Sequence, residues 1–344
     1  MDMLAAVWYG PRDLKLERRR RPEVAPKTVL IRVRAVGVCG SDIHIYRGAR
    51  LDIVPPVILG HEACGTVEQI GSEVNEFHVG DRVVIEDGFP CKRCYFCKRG
   101  LFSYCRDVKG IGYQIDGAYA EYIAVPKECL LKLPDEVTFE EGALIDSLAC
   151  TIHGVERANV QMGDTAVIFG AGAAGLCFVQ LLKLRGAARV VVVDTGRVRK
   201  KLELAKQFGA EEIITSNRNS LAEEVMRSTC GIGADLVIEA SGDPNAIALG
   251  ARLLRMGGRL IVYATYERLL ENLDPNQIIQ KELDILGSFG STGSTYATAI
   301  NLIASKRVEL KSMITHLFLL TQITKCFEVM DKKLQPVVKA VIQP

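Results

Sequence analysis

Six cysteine and histidine residues carry the clearest chemistry in this sequence. Cys91, Cys94 and Cys97 recur at every third residue, and Cys105 follows eight residues later. Four thiolates at these intervals can close a tetrahedral shell around one Zn²⁺. The sequence starts Met-Asp-Met-Leu, without the charged and apolar regions of an export signal. A reducing, cytoplasmic location is therefore expected, where clustered cysteines bind metal more often than they pair. An iron–sulfur run of the ferredoxin type ends in a short spacer and Cys-Pro. Here the last spacer is long, and Arg106 follows Cys105. A closed four-sulfur shell leaves no position for substrate, so this zinc is expected to be structural. Cys39, in Val38-Cys39-Gly40-Ser41-Asp42, and His61, in Gly60-His61-Glu62, offer a thiolate and an imidazole for a second zinc. A catalytic zinc keeps three protein ligands and one open position.

A different chemistry is written at Gly170-Ala-Gly172-Ala-Ala-Gly175, a G-x-G-x-x-G pattern. It follows the strand-like run Thr165-Ala-Val-Ile-Phe and opens an apolar helical pattern through Leu184. In that context Gly170 permits a tight turn, Gly172 lets backbone approach a pyrophosphate, and Gly175 allows close helix–strand packing. The helix N-terminus then presents N–H groups and a positive dipole end to phosphate. Asp194 ends the next buried strand, near the offset expected of a residue that binds a ribose 2′-hydroxyl. Its charge repels a 2′-phosphate, which favours NAD over NADP. Arg197, Arg199 and Lys200, close behind it, act in the opposite sense.

The elements that must position these residues fall into two rhythms. Up to about residue 150 the chain reads as short strands between turns, among them Thr28–Ala35, Gly65–Ile70 and Asp81–Ile85. From Thr165 strands alternate with helices: further strands are expected at Arg189–Asp194, Glu212–Thr215, Asp235–Glu239, Gly258–Tyr263 and Asp284–Phe289. Such alternation predicts a doubly wound parallel sheet in an α/β fold. A helix and a β-rich tail ending Val337-Val-Lys-Ala-Val-Ile follow. The 344 residues suffice for two domains. A net charge of +2 implies no nucleic-acid or membrane-surface partner, and no apolar run reaches the roughly 18–20 residues of a membrane span.

With these motifs in one chain, the sequence resembles the zinc-dependent medium-chain alcohol and polyol dehydrogenases, of the sorbitol and threonine dehydrogenase kind. Cys39-Gly-Ser-Asp, Gly60-His-Glu, the four-cysteine loop and the glycine motif with Asp194 carry the resemblance, which covers essentially the whole length. It implies a GroES-like β-rich catalytic domain (1–148 and 290–344, with the structural zinc loop at 91–105) and a Rossmann NAD-binding domain (149–289). It implies two zinc ions per chain and oxidation of a secondary alcohol by NAD⁺, with hydride passing to a nicotinamide held in the interdomain cleft. The family's third catalytic ligand is a Cys, or a Glu in a Glu-Pro pair. The aligned residue here is Asp146, one methylene shorter and followed by Ser147. Cys150, one helical turn on, is the local alternative, and Glu62 is a further donor, direct or through a water. Ser41 and His44 match the family's hydroxyl-to-histidine proton relay, a task that suits the near-neutral pKa of imidazole. Tyr46, Arg47 and Arg50 border the expected pocket, where an arginine can clamp a carboxylate or lie in solvent. The expected substrates are a polyol, a cyclitol or a sugar acid, with L-threonine as the alternative. A non-catalytic structural relative is the rival class, although such relatives typically lack the zinc ligands. The resemblance also implies a homodimer or homotetramer, joined at the sheet edge near Asp284–Phe289.

Overall fold

The computed structural model describes residues 1–215 and 218–344. The chain divides into two units, Met1–Ala149 with Thr292–Pro344, and Cys150–Ser291.

In the first unit the strand Thr28–Gly37 buries its aliphatic residues and leaves Arg32 and Arg34 exposed. Alternation of that kind marks a strand with one face in a core. It pairs antiparallel with Glu62–Ile70, in a register that sets Val36 opposite Ala63 and Gly37 opposite Glu62. On its other side it pairs antiparallel with Lys339–Gln343, Val341 facing Gly37. Three neighbouring strands therefore bring Cys39, His61 with Glu62, and Lys339 to one end of the sheet, although they are far apart in sequence. Gly37 is required at this end, because a Cβ there would collide with the Glu62 carboxylate and the Ala143 carbonyl. The sheet continues through Arg82–Ile85 and Leu130–Lys132 on one flank and Ile314–Leu319 on the other, with Tyr122–Pro126 also pairing to the central strand. Beneath it Phe327 receives the edges of Tyr46 and Tyr119, with ring centroids 5.3 and 5.8 Å away.

The second unit is a six-stranded parallel sheet, the doubly wound arrangement the sequence predicts. Its strands are Thr165–Phe169, Arg189–Val193, Glu212–Ile214, Ala234–Glu239, Leu254–Val262 and Asp284–Gly287. Counted along the unit, their spatial order is 3-2-1-4-5-6, that of dinucleotide-binding folds. Val190–Val193 are buried throughout, as strands covered by helices on both faces must be. Each fully buried branched side chain contributes roughly 2 kcal/mol relative to exposure. The chain order reverses beside Thr165–Phe169, and the glycine turn lies at that point. Gly170 holds φ at +97°, and a Cβ on Gly175 would collide with the Gly170 carbonyl.

That collision is against backbone, so nothing flexible can yield. Gly175→Ala is expected to lower the unfolding temperature of the second unit by several degrees and to weaken dinucleotide binding at least tenfold. Differential scanning calorimetry and fluorescence titration with NADH check both effects.

Candidate catalytic metal site and dinucleotide turn

Cys39 caps the helix Gly40–Tyr46. Asp42, at the third helical position, accepts a hydrogen bond from the Cys39 N–H (2.9 Å). This local loop fixes the thiol at the helix entrance, and the same carboxylate accepts from the Tyr119 hydroxyl at 2.8 Å. Asp42 is fully buried beside His61, its Oδ1 3.4 Å from Nδ1. The pair is misaligned for a hydrogen bond, and neither atom has another partner; the contact is one of charge. Burial opposes ionisation of Asp42, but His61 and the hydrogen bonds from Cys39 and Tyr119 outweigh it and hold the carboxyl below the usual range. Asp42 thus holds Nδ1 of the ring and leaves Nε2 facing the other way, as a metal-binding histidine requires.

Glu62 turns to the opposite partner. Its Oε2 lies 2.5 Å from Lys339 Nζ, and its Oε1 accepts from Ser147 Oγ at 2.7 Å. Lys339 also donates to Ser147 Oγ at 3.1 Å. Burial favours loss of the Lys339 charge, but Glu62 and the nearby Cys39 thiol outweigh it, so the ammonium is kept.

Cys39, His61 and Glu62 present donor atoms that all lie within 4.8 Å of one another. A thiolate, an imidazole and a carboxylate at this separation fit zinc. Asp146 lies outside this group, and this differs from its expected place in the metal shell. Its Oδ1 accepts a 2.5 Å hydrogen bond from Tyr296, whose oxygen in turn accepts from the Asp87 N–H. The shorter Asp side chain is thus hydrogen-bonded to the helix Gly293–Ala304. Burial, with the Asp87 carboxylate second, pushes Asp146 up to about 7. Cys150 is likewise not among the grouped donors.

Ser41 and His44 lie three residues apart on one helix, so they share a face. Ser41 Oγ is 3.5 Å from His61 Nε2. Tyr113, which the sequence did not mark, adds a hydroxyl 3.1 Å from the same nitrogen and 3.1 Å from Ser41 Oγ. Its ring lies over the His61 ring, with centroids 4.8 Å apart, and burial holds its phenol well above the usual range. The two arginines of the expected pocket are occupied. Arg50 forks onto Asp52 at 2.7 and 2.6 Å, and Arg47 pairs with Asp331 at 2.5 Å.

The four cysteines of the 91–105 loop gather as a separate group. The Cys91–Cys97, Cys94–Cys97 and Cys94–Cys105 sulfur separations of 3.5–4.0 Å are far too long for a disulfide near 2.05 Å. They match the edge of a tetrahedron whose centre lies about 2.3 Å from each sulfur.

In the second unit Asp194 accepts from the Ala171 N–H (2.9 Å) and the Gly196 N–H (3.0 Å). The helix Ala173–Leu184 begins at Gly172 with no side-chain cap, so its first N–H groups are available to phosphate. Arg199 folds back onto Glu203 at 3.0 Å. Glu239, also unmarked by the sequence, is buried beneath the turn. It accepts from Ser241 and Gly242 N–H and from the Tyr266 hydroxyl.

Residues 25–135 match the alcohol dehydrogenase GroES-like domain, and residues 173–305 match the zinc-binding dehydrogenase domain. Sorbitol dehydrogenase of Bacillus subtilis is 36% identical over 331 residues, 95% of this chain and 93% of that protein. A protein of Aspergillus terreus named probable D-xylulose reductase A is 36% identical over 91% of this chain and 90% of its own. An alcohol dehydrogenase of Escherichia coli CFT073, solved with NADH, superposes with a TM-score of 0.92 at 26% identity, covering 100% of this chain and 99% of its own. The chain belongs to the zinc-dependent medium-chain dehydrogenases, in the polyol dehydrogenase group. It is an oxidoreductase that uses zinc and a nicotinamide dinucleotide. Among the described residues no helix is long and apolar enough to cross a membrane.

The Asp146 environment sets a pH dependence for the metal-free protein. A carboxyl raised from 3.8 to about 7 contributes stability that is complete below pH 4 and is lost as pH rises through 7. Asp146→Asn keeps an acceptor for Tyr296 and removes the titration. Its thermal stability relative to wild type is expected to rise between pH 4 and pH 8, a trend that parallel melts of the metal-free proteins measure.

Proposed function

We propose that the chain oxidises a secondary hydroxyl of a neutral polyol with NAD⁺, with Cys39, His61 and Glu62 as the protein ligands of the catalytic zinc. The convergence of those three donors beside Ser41 carries the reading. Zinc held there supplies a Lewis acid that favours loss of the proton from an alcohol. Ser41 accepts that proton from the reacting hydroxyl, and His44, three residues on, passes it to solvent. Asp42 fixes the ring of His61 throughout, and Lys339 with Ser147 fixes the Glu62 carboxylate. Cys91, Cys94, Cys97 and Cys105 hold the second, structural zinc.

Preference for NAD⁺ rests on Asp194, whose carboxylate stands at the glycine turn and would face a 2′-phosphate with like charge. Arg199, one of the three cations that follow Asp194, is paired with Glu203. A neutral substrate is supported by Arg47 and Arg50, since each guanidinium already has its carboxylate. Sugar acids and phosphorylated sugars would have to compete with Asp331 or Asp52. Among the described residues the strand Asp284–Gly287 lies at the end of the sheet order, and Phe289 beyond it is exposed; association of two copies through that edge belongs to the same reading.

Zinc analysis and a substrate screen test this together. Wild-type protein is expected to hold two zinc ions per chain, and Cys39→Ala one, with turnover lost. NAD⁺ reduction is expected with neutral polyols ahead of cyclitols, sugar acids and L-threonine. Full zinc loading with no turnover on any of these would refute the assignment.

A further inference from the structure

Tyr113 is one polar group more than the proton relay needs. Ser41 can take the proton of a reacting hydroxyl, yet the Tyr113 hydroxyl faces the same histidine nitrogen at 3.1 Å. Its placement is built rather than incidental. Tyr113 sits in a tight turn in which Gln114 Oε1 and the Gly110 carbonyl tie the backbone (3.0 and 3.3 Å). Gly112 of this turn packs directly on the backbone of Gly60, the residue before His61, so that a Cβ there would lie 2.8 Å from the Gly60 carbonyl oxygen. Flanking hydrogen bonds from Gly117 to the Ile58 carbonyl and from Ala118 to the Gly60 carbonyl (2.7 and 2.8 Å) hold both segments together. One face of the ring covers His61. The Arg50 guanidinium lies 5.6 Å from the ring centroid and is itself locked by Asp52. The ring is therefore held by its tilted contact with His61, by the Arg50 guanidinium and by a pinned turn, while part of the residue remains exposed.

We infer that Tyr113 is a specificity-determining residue that receives the second hydroxyl of a vicinal diol. Neighbouring gauche hydroxyls on a carbon chain lie at about hydrogen-bond separation, as Ser41 Oγ and Tyr113 Oη do here at 3.1 Å. With Ser41 on the reacting hydroxyl, Tyr113 is the adjacent hydrogen-bond partner. A phenol can donate or accept, so it serves the neighbouring oxygen in the alcohol and in the hydroxyketone product alike. A substrate without that oxygen would leave the phenol facing apolar carbon, and binding sites discriminate most strongly on such a loss. The inference rests on the polyol reading above and names the feature of the polyol that this site selects.

The test compares a vicinal diol with the corresponding mono-alcohol of equal chain length, in wild type and in Tyr113→Phe, both loaded with zinc. Wild type is expected to prefer the diol at least tenfold in kcat/KM. Tyr113→Phe keeps the ring over His61 and should lose at least about tenfold more kcat/KM on the diol than on the mono-alcohol. Zinc content should be unchanged. Equal losses on both substrates, or none on the diol, overturn the inference and leave the polyol reading standing. A wild-type enzyme that turns over the mono-alcohol as well as the diol overturns it without recourse to the variant. Failure of wild type on every alcohol is the separate result that removes the polyol reading, and this inference with it.

Discussion

Two carboxylates, Asp42 and Glu62, are buried on either side of His61, and the rest of the first unit is arranged to make that tolerable. An unpaired buried charge costs several kcal/mol and is kept only with compensation. Asp42 is compensated by the Cys39 N–H, the Tyr119 hydroxyl and the imidazole. Glu62 is compensated by Lys339 and Ser147. Lys339 is a buried lysine followed by the buried apolar residues Ala340–Ile342, a costly choice unless a carboxylate awaits it. The C-terminal strand therefore returns to the N-terminal sheet for a reason: without it Glu62 would have no counter-charge. The same pairing bears on metal binding, since a carboxylate already oriented by two donors loses less freedom when it meets a cation.

Strand register converts that requirement into geometry. Gly37 opposite Glu62, and Val341 opposite Gly37, place three strand ends side by side. A one-residue slip would turn each of these side chains to the other face. The helix that starts after Cys39 carries Ser41 and His44 away from the same point, and the turn stacked on Gly60 brings Tyr113. In the second unit the glycine turn is shaped by comparably close packing. Gly170 and Gly175 allow backbone to pass where side chains cannot, and Asp194 and Glu239 tie the loops around it.

The fold was legible because its signals are local. Buried valine runs alternate with helical patterns between Thr165 and Gly287, and such alternation admits few arrangements. The cysteine loop was legible for the same reason, since all four thiols lie within one short segment. Around His61 the sequence showed less. Cys39 and His61 stand out by type, but Tyr113 looks like any loop tyrosine, and its role depends on a turn folding against Gly60. Lys339 left a fainter mark, one cation in Val337-Val-Lys-Ala-Val-Ile, and could have been noticed as a charge needing a partner. Asp146 lies outside the Cys39–His61–Glu62 group, because alignment with a ligand position says nothing of where a shorter side chain will reach; Tyr296, from a helix 150 residues later, donates to it. In the sequence Ser147 stands out only as a departure from proline, whereas its hydroxyl binds Glu62.

The chemistry of the catalytic centre depends on which carboxylate meets the zinc. A crystal structure of the zinc-loaded protein, with anomalous differences recorded at the zinc edge, decides it. The arrangement predicts a peak bonded to Cys39 Sγ, His61 Nε2 and a Glu62 oxygen, with Asp146 still hydrogen-bonded to Tyr296. A peak bonded to Asp146, with Glu62 left on Lys339 and Ser147 alone, would contradict it.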